Sequence, residues 1–355
     1  MTGVRVVVVG GGDLGVRVAC ALAAEPWVSR VVLVARRERE GAARAFFAAA
    51  CGPAPVAPAA LDALETERLH ELLDRERAGL IMQCASLLSP WALHGRHDPA
   101  TRALRAAGFA AQLPAQLPIA RSVARAASQC RSPAPVVNCS YPDVVNPVLA
   151  AGGLAPLAGV GNAGMIAGVA RAALNARGGA GLVRVLAHHG HVTASMTADP
   201  SLCRGLEPRV YLGEGGARED GLAFAGPPLA SSRELNALTA AHALAVLRAL
   251  AGGGPELRTS VPGPLGLPGG YPVRIAGGRL ALDLPPGLPL AEATALQRRY
   301  ATLDGVEAIA GDGTVTFTEA ARERLASLDP GLASPLHPDE ALERHRRLER
   351  FVAAP

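Results

Sequence analysis

The sequence predicts an α/β protein with a doubly wound parallel sheet over residues 1–152, followed by an α+β unit with antiparallel strands over residues 153–355. In the first part, short apolar runs at 4–9, 31–35, 80–84 and 135–140 alternate with helical stretches, as in strand–helix–strand units. The earliest of these runs leads into a glycine turn that opens a helix. Past Gly152 the runs come closer together, with hairpin signals at Gly277-Gly278 and Asp312-Gly313.

Residues 4–9 (VRVVVV) have the composition of a strand buried on both faces. Gly10, Gly12 and Gly15 follow in G-x-G-x-x-G spacing, and residues 16–24 continue as a helix. That order supplies a tight turn, a bare backbone for a pyrophosphate and a helix N-terminus with free N–H groups. Gly10, Gly12, Asp13, Leu14 and Gly15 are therefore expected to hold a dinucleotide. The second strand, 31–35, ends at Arg36 and Arg37, where NAD specificity would place an acid on the ribose 2′-hydroxyl. Two guanidinium groups suit a 2′-phosphate, so NADP is the expected cofactor and NAD the alternative.

Residues 40–50 and 61–78 read as helices separated by a Pro/Ala/Gly loop at 51–60. The strand at 80–84 (LIMQC) brings Cys84, Ala85 and Ser86 to where a loop passes under the cofactor. Residues 89–98 (SPWALHGRHD) read as a lid, with Trp91, His94, Arg96 and His97 as candidate substrate contacts. A helix at 117–130 leads to the strand 135–140 (PVVNCS), which sets Asn138 and Ser140 at a strand end. The chain leaves it through Tyr141-Pro142-Asp143 into 144–151, and a second glycine turn ending at Asn162 opens a helix at 163–176. A strand at 182–186 runs into the His188-His189-Gly190-His191 stretch. Beyond it, strands at 208–212, 257–261, 271–276, 279–284 and 314–318 interleave with helices at 232–251 and 290–302. The charged helix at 338–351 reads as a solvated face.

Composition narrows the chemistry. A chain of 355 residues that is 49% hydrophobic builds a substantial core. All 35 basic residues are arginine, scattered among 31 acids, so no basic stripe for nucleic acid forms. Without lysine there is no Schiff-base nucleophile, lysine base or Walker-type loop. The six cysteines stand singly, which suits reduced thiols and offers no metal-ligand spacing, so no metal is expected. No apolar run reaches membrane-spanning length, and the expectation is a cytoplasmic protein with a small-molecule substrate. The alanine-rich stretch at 42–50 suits close packing against a second copy, so a homo-oligomer is expected.

In order and approximate spacing, the chain resembles the lactate/malate dehydrogenase and family-4 glycosidase superfamily, which builds on a Rossmann-type domain. The matching stretches are GGGDLG, then PVVNCSYPDVVNP at that family's Asn-Pro motif, GVGNAGMIAGVAR at its Asp-x-x-Arg helix and VLAHHGH at its catalytic His-Gly. The resemblance implies His189 as the proton-transferring histidine and Arg171 as the arginine that grips a substrate carboxylate. His191 shares a face with His189 if the segment is extended. The family's orienting aspartate falls on Gly168, and its asparagine before proline on Tyr141. That leaves Asn162, which can fix a tautomer, and Asp143, arriving from another strand, as candidate partners of His189; each is equally suited to capping a helix.

Three functions follow. The first is an NAD(P)-dependent oxidoreductase moving hydride to or from a small polar carbonyl, imine or alcohol, with His189 as acid/base. The second is a redox-neutral, NAD-dependent hydrolase or lyase like the glycosidase branch, for which Cys139, His189 and His191 are the available metal ligands. The third is a non-catalytic nucleotide-binding partner protein.

Overall fold

A computed structural model describes residues 3–230 and 232–352. Six parallel strands form the main sheet: β1 (Val4–Val9), β2 (Val28–Ala35), β3 (Val56–Ala60), β4 (Leu80–Gln83), β5 (Val136–Asn138) and β6 (Ala158–Gly159), in the order β3-β2-β1-β4-β5-β6. Val6 to Val9 are fully buried because β1 is central, with neighbours on both edges and helices on both faces. The strand order reverses between β1 and β4, which opens a crevice at their carboxyl ends.

The helices of this half are α1 (Asp13–Ala23), α2 (Glu38–Ala49), α3 (Thr66–Glu76), α4 (Pro99–Ala106), α5 (Leu113–Gln129), α6 (Pro142–Ala151) and α7 (Asn162–Ala176). The loop expected at 51–60 contains β3. Its alanines and Pro58 carry little strand signal, and it is tolerated as an edge strand paired only with β2. The parallel sheet also runs past residue 152, since β6 pairs with β5.

The remaining strands are antiparallel: β7 (Val183–Leu186), β8 (Arg209–Leu212) and β9 (Ala217–Arg218) in one sheet, β10 (Leu257–Pro262), β11 (Gly270–Ala276) and β12 (Arg279–Leu282) in another, and β13 (Val306–Ile309) with β14 (Val315–Phe317). Six helices accompany them: α8 (Val192–Met196), α9 (Asn236–Leu250), α10 (Leu290–Ala301), α11 (Glu319–Ala326), α12 (Pro330–Ala333) and α13 (Ala341–Val352). Helix α9 returns to the parallel sheet, where Ala243, Val246 and Leu247 share one core with Val18 and Leu22 of α1.

The charged helix at the end is not simply a solvated face. Ala341, His345, Leu348 and Val352 recur at helical spacing and are buried, the apolar ones in one core with Leu117, Phe317 and Leu325. Two glycines bring distant chain segments together at the site. A Cβ on Gly108 would lie 2.3 Å from the Asp304 carbonyl oxygen, and one on Gly305 would lie 2.1 Å from that of Ala107. Both have φ of +85°, so glycine serves the turn and the close approach together. Among the described residues, no helix is long and apolar enough to cross a membrane.

Candidate active site

A cleft of about 1150 Å³ lies over the carboxyl ends of β1, β4 and β5. Ligand pockets typically span about 300–1,000 Å³, so it has room for a dinucleotide and a second molecule. Gly10, Gly12, Asp13 and Leu14 line it, whereas Gly15 lies behind them. A Cβ on Gly15 would stand 1.8 Å from the Gly10 carbonyl oxygen, so glycine there lets α1 seat against the turn. No side chain caps α1, and Gly12 has nothing within 4 Å of where its Cβ would be. The helix N-terminus is therefore open to an anion. The Asp13 carboxylate stands beside it, accepting from Arg17 (3.0 Å) and Asn236 (2.8 Å). Burial works against its charge, but these donors hold its pKa below the usual 3.8.

Arg36 and Arg37 line the far end of the cleft, with Arg37 paired to Glu40 at 2.8 Å. Arg44, one turn along α2 from Glu40, also lines this end; it donates to the Gly11 carbonyl and pairs with Glu40 at 3.4 Å. The i,i+4 spacing of Glu40 and Arg44 is the one feature of the sequence that pairs this third arginine with the same acid. Cys84, Ala85, Ser86 and Ser140 line the floor, and the Ser140 hydroxyl donates to Gln116 at 2.8 Å. Burial pushes the Cys139 thiol up to about 12 and that of Cys84 well above its ordinary value, so neither is a thiolate at neutral pH. Asn138 does not reach the cleft. Its buried amide bonds the backbone of Ser140 and the Asn146 side chain (2.9 Å), which shapes the exit from β5.

Opposite the glycine turn stands His189, its side chain 25% exposed. Its Nδ1 lies 2.9 Å from Asp304 Oδ1, and Nδ1 of the fully buried His188 lies 2.9 Å from Asp304 Oδ2. The carboxylate thus accepts from both imidazoles, which leaves His189 Nε2 for a ligand. Phe109 stacks on the His189 ring at 4.1 Å and Tyr141 meets it edge-on at 5.3 Å. Burial opposes an imidazolium here, yet the Asp304 carboxylate prevails and raises the His189 pKa above 6.5. Burial likewise opposes a charge on Asp304, but His189 and His188 hold its pKa well below the usual range.

Asp304 lies in the short 3₁₀ turn after α10, 115 residues from His189, and no local motif marks it. Asp143 plays a different part from the one expected. Its Oδ1 accepts from the backbone N–H of His189 (3.1 Å) and its Oδ2 from the Asn162 amide, so it fixes the His189 main chain while Asp304 fixes the ring. Burial pushes the Asp143 pKa up. Neither Asp143 nor Asn162 caps its helix through a side chain. Asn162 sits at φ 35°, left-handed backbone that asparagine tolerates better than most residues.

His191 does not share a face with His189, because residues 189–191 wind into a 3₁₀ turn instead of extending. Its buried ring accepts from His188 N at Nδ1 (2.8 Å) and donates to the Leu206 carbonyl at Nε2 (2.6 Å), and burial lowers its pKa to about 4. With both nitrogens engaged it is a neutral structural lock. Arg171 is not at the cleft either. It lies about 13 Å beyond Asn162 along α7, at 1.5 Å per residue, where its charge acts on the buried His242. In the 89–98 stretch, Trp91, His94 and His97 line the cleft, but Arg96 turns away to Asp98 (3.1 Å) and the Val352 carbonyl (2.9 Å). Among the described residues, no group of His, Cys, Asp or Glu is arranged to hold a metal ion.

No family model matches the chain, and no curated protein matches it in sequence. Solved structures do. The lactate dehydrogenase from Cryptosporidium parvum, complexed with lactic acid and NAD, matches with a TM-score of 0.53 and 14% identity over 86% of this chain and 98% of that one. Malate dehydrogenase from the same organism gives a TM-score of 0.52 at 14% identity, over 85% and 96% of the two chains. The fold is that of lactate and malate dehydrogenases. A malate dehydrogenase from Archaeoglobus fulgidus, in complex with NADH, has a TM-score of 0.51 at 14% identity over 84% and 97% of the chains. Within this dehydrogenase fold the helix expected to carry the orienting acid has Gly168 instead, and the carboxylate beside His189 comes from Asp304.

Proposed function

We propose that the chain is an NADP-dependent oxidoreductase that moves hydride to or from the carbon of a carbonyl, imine or alcohol, with His189 as acid/base and Asp304 as its orienting acid. The observation that carries this reading is the His189–Asp304 pair in the wall of the cleft that also holds the open glycine turn. The uncapped helix and the bare Gly12 fit a pyrophosphate, and a bound nicotinamide would supply or take up the hydride. His189 manages the proton. Asp304 accepts its Nδ1–H, so in neutral His189 the lone pair sits on Nε2 and takes the hydroxyl proton during oxidation. In reduction the imidazolium, stabilised by the same carboxylate, donates that proton.

Turnover with a stoichiometric change in nicotinamide absorbance supports this reading. Turnover with no net change would replace it with the redox-neutral hydrolase or lyase, and nucleotide binding that His189 substitution never touches would leave a non-catalytic binder.

Three arginines at the adenosine end favour the 2′-phosphate. Arg36→Asp with Arg37→Asn is expected to weaken NADP by about 10- to 100-fold, from the 1.5–3 kcal/mol of a hydrogen bond to a charged group, and to weaken NAD far less. Equal losses in fluorescence titrations of the two nucleotides would refute the preference. Phe46 and Phe47 on α2 are 79% and 61% exposed, which supports a homo-oligomer formed through this helix. Sedimentation should then show an assembly that Phe46→Ser with Phe47→Ser dissociates; a monomeric parent chain would rule it out.

A further inference from the structure

The wall beside His189 is organised by one stripe of side chains. Phe109–Gln112 is a 3₁₀ segment, so residues 109 and 112 lie on one face, about 6 Å apart along its axis. Gln116 continues that face into α5. Phe109 stacks on His189, and the Gln116 amide is spent on the Leu88 carbonyl (3.0 Å) and the Ser140 hydroxyl (2.8 Å). Between them Gln112 lines the cleft and is only 6% exposed, yet its buried Oε1 has no partner. A buried amide oxygen without a donor is destabilising, and a half-turn about the last side-chain bond brings it to the cleft, so its persistence there points to a ligand that satisfies it.

Much of the surrounding wall is apolar. Leu303 packs over Gly190, where a Cβ would lie 2.5 Å from the leucine Cβ, and Tyr141, Val192 and Met196 complete the wall. The charges that act on His189 are the Asp304 and Asp143 carboxylates. Arg171 lies outside the cleft; Arg105 and Arg233 line it, Arg105 donating to the Leu93 carbonyl and Arg233 acting on Asp13 beside the glycine turn. A substrate carboxylate at His189 Nε2 would thus lie beside the Asp304 carboxylate and apolar side chains, with the Arg105 guanidinium turned to the Leu93 carbonyl and Arg233 drawn toward Asp13.

We propose that this end of the cleft takes an uncharged substrate, a ring-sized apolar carbonyl or alcohol packed beside Phe109 and hydrogen-bonded through a hydroxyl or amide to Gln112, in preference to a 2-oxo or 2-hydroxy acid. The proposal rests on the reading of His189 as the group that meets the reacting oxygen.

Binding tests it without requiring turnover. Quenching of tryptophan fluorescence, with Trp91 in the cleft wall, is followed as 4-hydroxyacetophenone or its 2-oxo-acid counterpart, 4-hydroxyphenylglyoxylate, is added to the full chain with and without NADP. The ketone is expected to bind at least 10-fold more tightly than the acid. Gln112→Met should weaken the ketone about 10-fold, the order of one lost hydrogen bond, raise the melting temperature and leave the NADP Kd unchanged. An acid that binds as tightly as the ketone, or ketone affinity indifferent to Gln112→Met, would overturn the proposal. Nucleotide affinity, measured separately on the same samples, judges the cofactor reading by itself.

Discussion

Replacing His189 with glutamine is expected to lower kcat by about 10²- to 10⁴-fold, the range of a general acid/base group, while NADP affinity stays within about twofold because His189 faces the glycine turn across the cleft. A full rate in the variant, followed by nicotinamide absorbance, would remove His189 from the chemistry. The pH profile has a defined sign. The His189 pKa is raised above 6.5, so the imidazolium needed for reduction persists to higher pH, and the reductive rate should be flat below that raised pKa and fall above it. The oxidative rate should rise through the same interval. Stability follows the same linkage: the His189–Asp304 interaction contributes fully below pH 6.5 and is lost as pH rises through the raised His189 pKa. On the acid side it is present above 3.8 and lost as pH falls through the depressed Asp304 pKa.

Asp304→Asn is the second substitution with a large expected effect. The carboxylate accepts from two imidazoles at 2.9 Å each, and an amide offers one oxygen and one NH₂ in its place. One histidine must then turn its tautomer or face a donor with a donor. We expect kcat to fall by about 10²- to 10⁴-fold, as for a misassigned tautomer in a proton relay, and stability to fall by about 1–3 kcal/mol, the cost of a buried polar group left unsatisfied. A merely structural Asp304 would lower the melting temperature and leave the inflection of the pH–rate profile in place. A positioning residue moves that inflection to lower pH, because burial is then opposed only by the more distant charge of Asp143.

Local signals made the glycine-turn half of the cleft readable. The run of valines, the glycine spacing and the arginines after β2 act within one strand–turn–helix unit, and the structure gathers Gly10, Gly12, Arg36 and Arg37 along one cleft. Strand β3 escaped because edge position lets a Pro/Ala segment pair, which composition does not encode. His191 was misplaced because alternation presumes an extended chain, and the HGH stretch closes into a 3₁₀ turn. Arg171 was placed by resemblance alone, and the helix carries it past the cleft. Asp304 was invisible for a different reason: its role depends on Gly108 and Gly305 letting two distant backbones touch, a tertiary event that neither glycine announces.

The central claim is that Asp304 sets the charge state of His189. Titration of the His189 imidazole by NMR, in the parent chain and in Asp304→Asn, tests it most directly. The midpoint is expected above pH 6.5 in the parent chain and at a lower pH in the variant, where desolvation is no longer opposed by that carboxylate. A His189 midpoint that is the same in both proteins would contradict it.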